Sequence, residues 1–188
     1  MKKIVLVCGG IAGLIVSAMG VISTAVFCAS GDFQSGMVYG YTSMIIAFSL
    51  IFVGVKNFRD KYNNGVVSFG KAFKVGILIA LVASTFYVIS WLINFHFFMP
   101  DFYEKYSIRI LDQLKASGAS ATTIAEKTAE MTKMTEWSKN ELFVIIMTYV
   151  EILPVGLIVT LIAALILKRK NAKPRQTGSS GLEQTTTV

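Results

Sequence analysis

A chain of 188 residues that is 54% hydrophobic and only 15% charged, with a mean hydropathy of +0.61, is too apolar for an ordinary soluble domain. Its net charge of +7 would suit a nucleic-acid binder, but the basic residues stand beside apolar runs, where orientation in a membrane explains them better. Cys8 and Cys28 would lie about 30 Å apart on one helix, so they cannot pair, and with a single histidine neither a disulfide framework nor a zinc pattern follows.

The first apolar run, 4–27, follows Met1-Lys2-Lys3. A basic start and an apolar stretch also describe a signal peptide, but this run is longer than a signal core and no clean small-x-small cleavage site follows, so a retained first span is expected. Gly9, Gly13, Ser17, Gly20 and Thr24 recur at spacings of three and four, which puts small residues on one helical face and predicts close packing, within the chain or between copies. A short polar turn is expected at 31–36, then an uncharged second span at 37–55, with Tyr39 and Tyr41 at its interfacial start.

Residues 56–74 carry Lys56, Arg59, Lys61, Lys71 and Lys74 against a single Asp60. Asn63-Asn64-Gly65 signals a turn. Phe58, Tyr62, Val66, Val67 and Phe69 interleave with polar residues, which suits a hinge lying on lipid headgroups. The third span, 75–98, holds a polar stripe at helical spacing: Ser84, Tyr87, Ser90, Trp91 and Asn94. His96 falls near its outer end and reads as an interfacial residue.

The connection 99–141 is the longest. Tyr103, Tyr106, Ile110 and Leu114 share one face of a first helix, which Ser117-Gly118 ends. Thr123-x-x-Glu126 reads as the capping box of a second helix reaching Trp137, and Ser138-x-x-Glu141 as another before the last span. Glu130 and Lys133, and Glu136 and Lys139, stand one turn apart and favour solvated helices.

The last run, 142–167, contains one formally charged residue, Glu151, with Pro154 one turn on. Pro154 has no N–H, so the carbonyl of Val150 loses its helical partner. A carboxylate at mid-span costs roughly 2.5–3.5 kcal/mol on insertion scales, so it must face the bundle interior or carry a proton. The third span runs antiparallel to the fourth, which sets Tyr87 and Ser90 near the depth of Glu151. The candidate intramembrane polar site is therefore Glu151, Pro154, Tyr87, Ser90 and Asn94.

The predicted fold is an all-α membrane protein: four transmembrane helices with a helical extracytoplasmic hairpin between the third and fourth. That domain covers residues 1–170, and 171–188, rich in Ser, Thr and Gly, is expected to be a disordered cytoplasmic tail. With both termini inside, the inner flanks carry twelve Lys and Arg (Lys2, Lys3, five in the hinge, five after Leu167), against six in the outer loop, where seven acids balance them. The positive-inside rule then places both ends in the cytoplasm.

At the hinge the chain reads Val66-Val67-Ser68-Phe69-Gly70-Lys71-Ala72-Phe73-Lys74-Val75-Gly76, and the outer connection opens with Met99-Pro100-Asp101-Phe102-Tyr103. These segments resemble a bacterial family of four-span inner-membrane proteins known only as domain of unknown function 4199. The likeness runs over residues 4–170 and leaves out the tail after Arg175. It implies the topology and an inner-membrane location, and brings no activity, cofactor or catalytic residue.

The residues themselves carry no enzyme signature. Gly9-Gly10 and Gly13 lie inside an apolar helix, not between a strand and a helix as a phosphate loop would. No acid stands at useful spacing from His96 for a triad. The expectation is thus a non-enzymatic helix bundle without cofactor, seated in a lipid bilayer and packing with itself as a homo-oligomer or with a membrane-protein partner. The alternative is a small oligomeric transporter or proton-coupled channel using Glu151 on a kinked helix. A lipid-acting membrane enzyme is the third reading and has the least support, since its groups do not converge.

Overall fold

The computed structural model describes residues 1–30 and 33–169, with side chains described for 1–26 and 38–169. The helices in chain order are α1 (Lys2–Ser30), α2 (Phe33–Phe48), α3 (Leu50–Asn57), α4 (Phe69–Phe97), α5 (Phe102–Ala116), α6 (Ala121–Trp137) and α7 (Glu141–Leu167). Four stretches are long and apolar enough to cross a membrane: Lys2–Val26, Val38–Tyr62, Phe69–Phe97 and Glu141–Leu167. Their outward sides carry the large apolar residues a bilayer would cover, among them Leu6, Leu14, Ile89, Ile158 and Ile166.

Helix α4 is the centre of the bundle. It packs along α1 on one side and α7 on the other, while α2 lies against α1 and α3 touches α1, α4 and α7. Small residues set these distances. A Cβ on Gly9 would come within 2.7 Å of Val82 Cβ, and one on Gly13 within 2.6 Å of Phe86 Cβ. Across the other face, Gly76 meets Thr160, and Gly156 meets Ala80 and Phe48. The small-residue face of α1 is thus used within the chain, against α4. Gly9, Gly13 and Gly20 all serve that contact. One hydrogen bond also crosses from α7 to α4. The Tyr149 phenol donates to Thr85 Oγ1 at 3.0 Å, because the Thr85 proton is already given to the Leu81 carbonyl at 2.9 Å.

The second span is longer than the uncharged run. Its helix continues past Val55 and winds out through a π-helical turn, Phe58–Tyr62, that carries the Arg59–Asp60 ion pair at 2.6 Å. Helix α4 likewise begins six residues before the apolar run, with Ser68 accepting from the Lys71 N–H. Lysine and arginine are good helix formers, so the basic flanks extend the helices and the loop proper shrinks to residues 63–68. Asn64 (φ +51°) and Gly65 (φ +76°) make its turn.

Val67 does not lie on the headgroups as the alternating pattern suggested. It is buried, and its backbone exchanges both hydrogen bonds with Arg169, at 2.9 and 2.8 Å. Arg59 adds a long contact to the Leu167 carbonyl at 3.5 Å. The hinge therefore ties down the end of α7, and both lie on the face where α1 begins.

On the opposite face α5 and α6 pack against each other after a turn at Ser117 and Gly118 (φ +74°). Their caps differ from the expected boxes. Ser120, not Thr123, caps α6 by accepting from the Thr123 N–H at 3.1 Å, and Asn140, not Ser138, caps α7 by accepting from the Leu142 N–H at 2.9 Å. Ser138 closes α6 instead, donating to Thr135 O at 2.8 Å. In each case a better-placed Ser or Asn stood close by. The ion pairs on this hairpin include Lys105–Asp101 and Lys127–Glu130, both at 2.7 Å, and the longer Lys115–Asp112 at 3.9 Å. The expected turn at 31–36 is partly helical, since α2 starts at Phe33. Gly31, Asp32, the Cys28 side chain and the tail 171–188 lie outside the described residues.

Candidate functional site

Between the ends of the spans on this face and the α5–α6 hairpin lies a cavity of about 430 Å³. This is within the size range of small-molecule pockets, about 300–1,000 Å³. Its floor and walls come from Gly20, Ser23 and Thr24 on α1, Gly40, Tyr41 and Ser43 on α2, and Tyr87 and Trp91 on α4. Helix α7 supplies Met147, Thr148, Val150 and Glu151, and the roof is Phe102, Tyr103 and Tyr106 of α5 with Met134 of α6.

Aromatic contacts hold the roof on. Trp91 meets Phe102 edge-on with ring centroids 5.0 Å apart, and Phe95 meets Tyr103 at 5.6 Å. Phe102 and Tyr106 stack one turn apart along α5. Offset and edge-on pairs of this kind are worth about 0.5–1.5 kcal/mol each beyond area burial, so α5 sits on α4 by ring packing. Below the roof, the Tyr87 ring lies where a Gly20 Cβ would be, 2.9 Å away at Cε2. Gly20 thus makes room for the phenol.

Glu151 lines this cavity and stays exposed, outside the tightly packed core. It stands eleven residues into α7, about 15 Å below the helix start at 1.5 Å per residue. Among the described residues no hydrogen bond reaches its carboxylate. Its charge is nevertheless felt at Tyr87 and at Tyr103. Burial, helped by that charge, pushes the Tyr103 phenol up to about 12. Burial also raises Tyr106.

Three hydroxyls on the wall have already given away their protons. Thr24 donates to Gly20 O at 2.9 Å, Ser43 to Gly40 O at 2.6 Å, and Thr148 to Val144 O at 2.7 Å. Towards the cavity they can offer only lone pairs. Val150, whose carbonyl loses its helical partner at Pro154, lines the same space. No Lys, Arg or His is among the lining residues.

Of the five residues singled out from sequence, the structure brings Glu151 and Tyr87 to one cavity. Ser90, Asn94 and Pro154 do not line it. At 3.6 residues per turn Ser90 is about 60° round the helix from Tyr87. Asn94 lies two turns nearer the end of α4, where its carbonyl takes the Phe98 and Met99 N–H groups. Pro154 contributes only indirectly, through Val150. Trp91 belonged to the polar stripe and does line the cavity. The roof residues Tyr103 and Tyr106 were visible as one face of a helix, but nothing in their spacing said that this face covers Glu151.

His96 Nδ1 lies 3.8 Å from Glu141 Oε1, with both side chains well exposed, and neither residue lines this cavity. Among the described residues no group of three His, Cys, Asp or Glu could hold a metal ion.

The model of a family described as a protein of unknown function, DUF4199, matches residues 8–169. The chain belongs to this family. The DUF4199 match takes in the spans, the hinge and the α5–α6 hairpin, so every residue lining the cavity falls inside it. No curated protein and no solved structure compared with the chain matches it.

Proposed function

We propose that this DUF4199 protein is a non-enzymatic protein of the bacterial inner membrane that binds a small ligand at Glu151. Both termini lie in the cytoplasm and the α5–α6 hairpin outside. The excess of Lys and Arg on the hinge and tail flanks supports that orientation. The observation that carries the binding role is the intramembrane carboxylate facing a roofed cavity in place of a packed helix interface. An ionisable residue at such depth marks function more often than structure. Self-association through small faces has less to stand on. Gly9, Gly13 and Gly20 of α1 are filled by α4, and Gly54 of α3 by Ile79.

A second reading, transport or proton-coupled gating through an oligomer, draws on the Pro154 break beside Val150 and Glu151. A lipid-acting enzyme has little support, because His96 and Glu141 are not among the residues that line the cavity.

Native mass spectrometry of protein released from mild detergent tests the binding role. The wild type is expected to carry a non-covalent small molecule that Glu151→Gln loses while remaining folded. A wild-type protein that emerges bare, as a homo-oligomer or with a protein partner, would return the reading to helix packing.

A further inference from the structure

The cavity has an unusual hydrogen-bonding balance. Its carboxylate accepts no hydrogen bond among the described residues. The hydroxyls of Thr24, Ser43 and Thr148 are committed as donors to their own helices and retain only acceptor capacity. Val150, whose carbonyl Pro154 cannot pair, is also among the lining residues. The wall also holds donors in the phenols of Tyr41, Tyr87, Tyr103 and Tyr106, so it is the α7 side, with the Glu151 carboxylate and the Thr148 lone pairs, that calls for a ligand bearing N–H or O–H donors.

The charge balance points the same way. One carboxylate and no lining cation leave the site an uncompensated anion whenever Glu151 is ionised. An anionic ligand would face like charge in a low-dielectric setting, and a cationic one would be drawn in. Much of the wall is aromatic, with Tyr87 and Trp91 of α4 and Phe102 and Tyr103 of α5. Such faces attract a cation and also accept an apolar body. A hydrated metal ion fits poorly, because the wall holds one carboxylate and no second ligand of its class.

Resting on the binding role proposed above, we infer that the ligand is a small protonated amine with an apolar body. Its ammonium sits at Glu151 and donates to the acceptors of α7. Its apolar part lies between the rings of α4 and α5.

The test uses the full-length chain in lipid nanodiscs with Trp137→Phe, which leaves Trp91 in the cavity wall as the one tryptophan of the sequence. Three probes are titrated against its fluorescence: phenethylamine, its N,N,N-trimethyl analogue, and propylbenzene as the neutral isostere. Phenethylamine is expected to quench saturably. Glu151→Gln should weaken it about tenfold or more, as loss of a charge-assisted hydrogen bond does. The trimethyl analogue, a cation without N–H donors, should bind more weakly than the amine, and propylbenzene should not respond to Glu151→Gln.

Thr148→Val provides a second variant should Glu151→Gln not fold. It removes one acceptor and should weaken the amine by about threefold while sparing propylbenzene. If propylbenzene binds as tightly as the amine and neither variant separates them, the amine assignment is overturned and the ligand cavity stands. A trimethyl analogue that matches the amine overturns the donor argument. If none of the three probes saturates, the amine assignment is overturned as well, and a bare wild-type protein in mass spectrometry would remove the binding role with it.

Discussion

Two glycines three residues apart on α1 offer a controlled test of the packing. A Cβ at Gly13 would come within 2.6 Å of Phe86 Cβ and 2.9 Å of its Cγ, whereas a Cβ at Gly10 meets nothing within 4 Å. The atoms that Gly13 would strike are the root of a side chain, fixed by the α4 backbone, so relief requires the two helices to move apart. Overpacking of this kind costs about 1–3 kcal/mol. Replacing glycine by alanine in a helix interior returns about 0.8–1 kcal/mol at either site. The helix contribution cancels between the variants. Gly10→Ala should therefore be slightly more stable than wild type, and Gly13→Ala should fall below Gly10→Ala by about 1–3 kcal/mol. Unfolding by SDS titration in mixed micelles, followed by helical circular dichroism, measures the gap. Equal stabilities would refute the α1–α4 contact. A change in oligomeric state with unchanged monomer stability would move the small face to an interface between copies.

Three further outcomes follow from single residues. Thr160 Oγ1 is buried with no hydrogen-bond partner among the described residues, so Thr160→Val should raise stability in the same titration by about 1–3 kcal/mol, the range for an unsatisfied buried group. Asn64 holds φ +51° in the hinge turn; Asn64→Val should cost about 1–2 kcal/mol, while Asn64→Gly should be nearly neutral. The Tyr103 phenol, held up to about 12, keeps its proton in the folded chain between its ordinary pKa of about 10 and that value, whereas the unfolded chain loses it. Its contribution is thus complete below about pH 10 and disappears as pH rises through about 12, at roughly 1.4 kcal/mol per pH unit. The ultraviolet difference titration between wild type and Tyr103→Phe should show this late phenol, and Glu151→Gln should bring it down only in part, because burial is the larger cause.

The topology was legible because a bilayer allows few solutions. Uncharged runs of helical length, separated by basic or charge-laced segments, left four spans as the economical arrangement, and these are the four found. The ends of the spans were less legible. Hydropathy stops at the first lysine, but a helix does not, so α3 with its π-turn and α4 both run on into the basic flanks. The Val67–Arg169 pairing joins segments about a hundred residues apart and left no trace in local pattern.

The site divides along the same line. Glu151 could be found because a carboxylate among apolar residues is anomalous by itself, and Tyr87 because antiparallel spans can be aligned in depth. Ser90 and Asn94 shared the stripe but not the cavity, since a stripe spanning several turns cannot say where a neighbouring helix turns aside. The roof required tertiary information. Tyr103 and Tyr106 face α4 only because Trp91 and Phe95 at the end of α4 receive the rings of α5. Without that contact α5 would be a solvated amphipathic helix and would not cover this end of the bundle. In the binding role proposed above, α7 would supply the charge and acceptors and α5 would cover them. Phe102, which touches both Trp91 and the stacked Tyr106, is a point where α5 is held to α4.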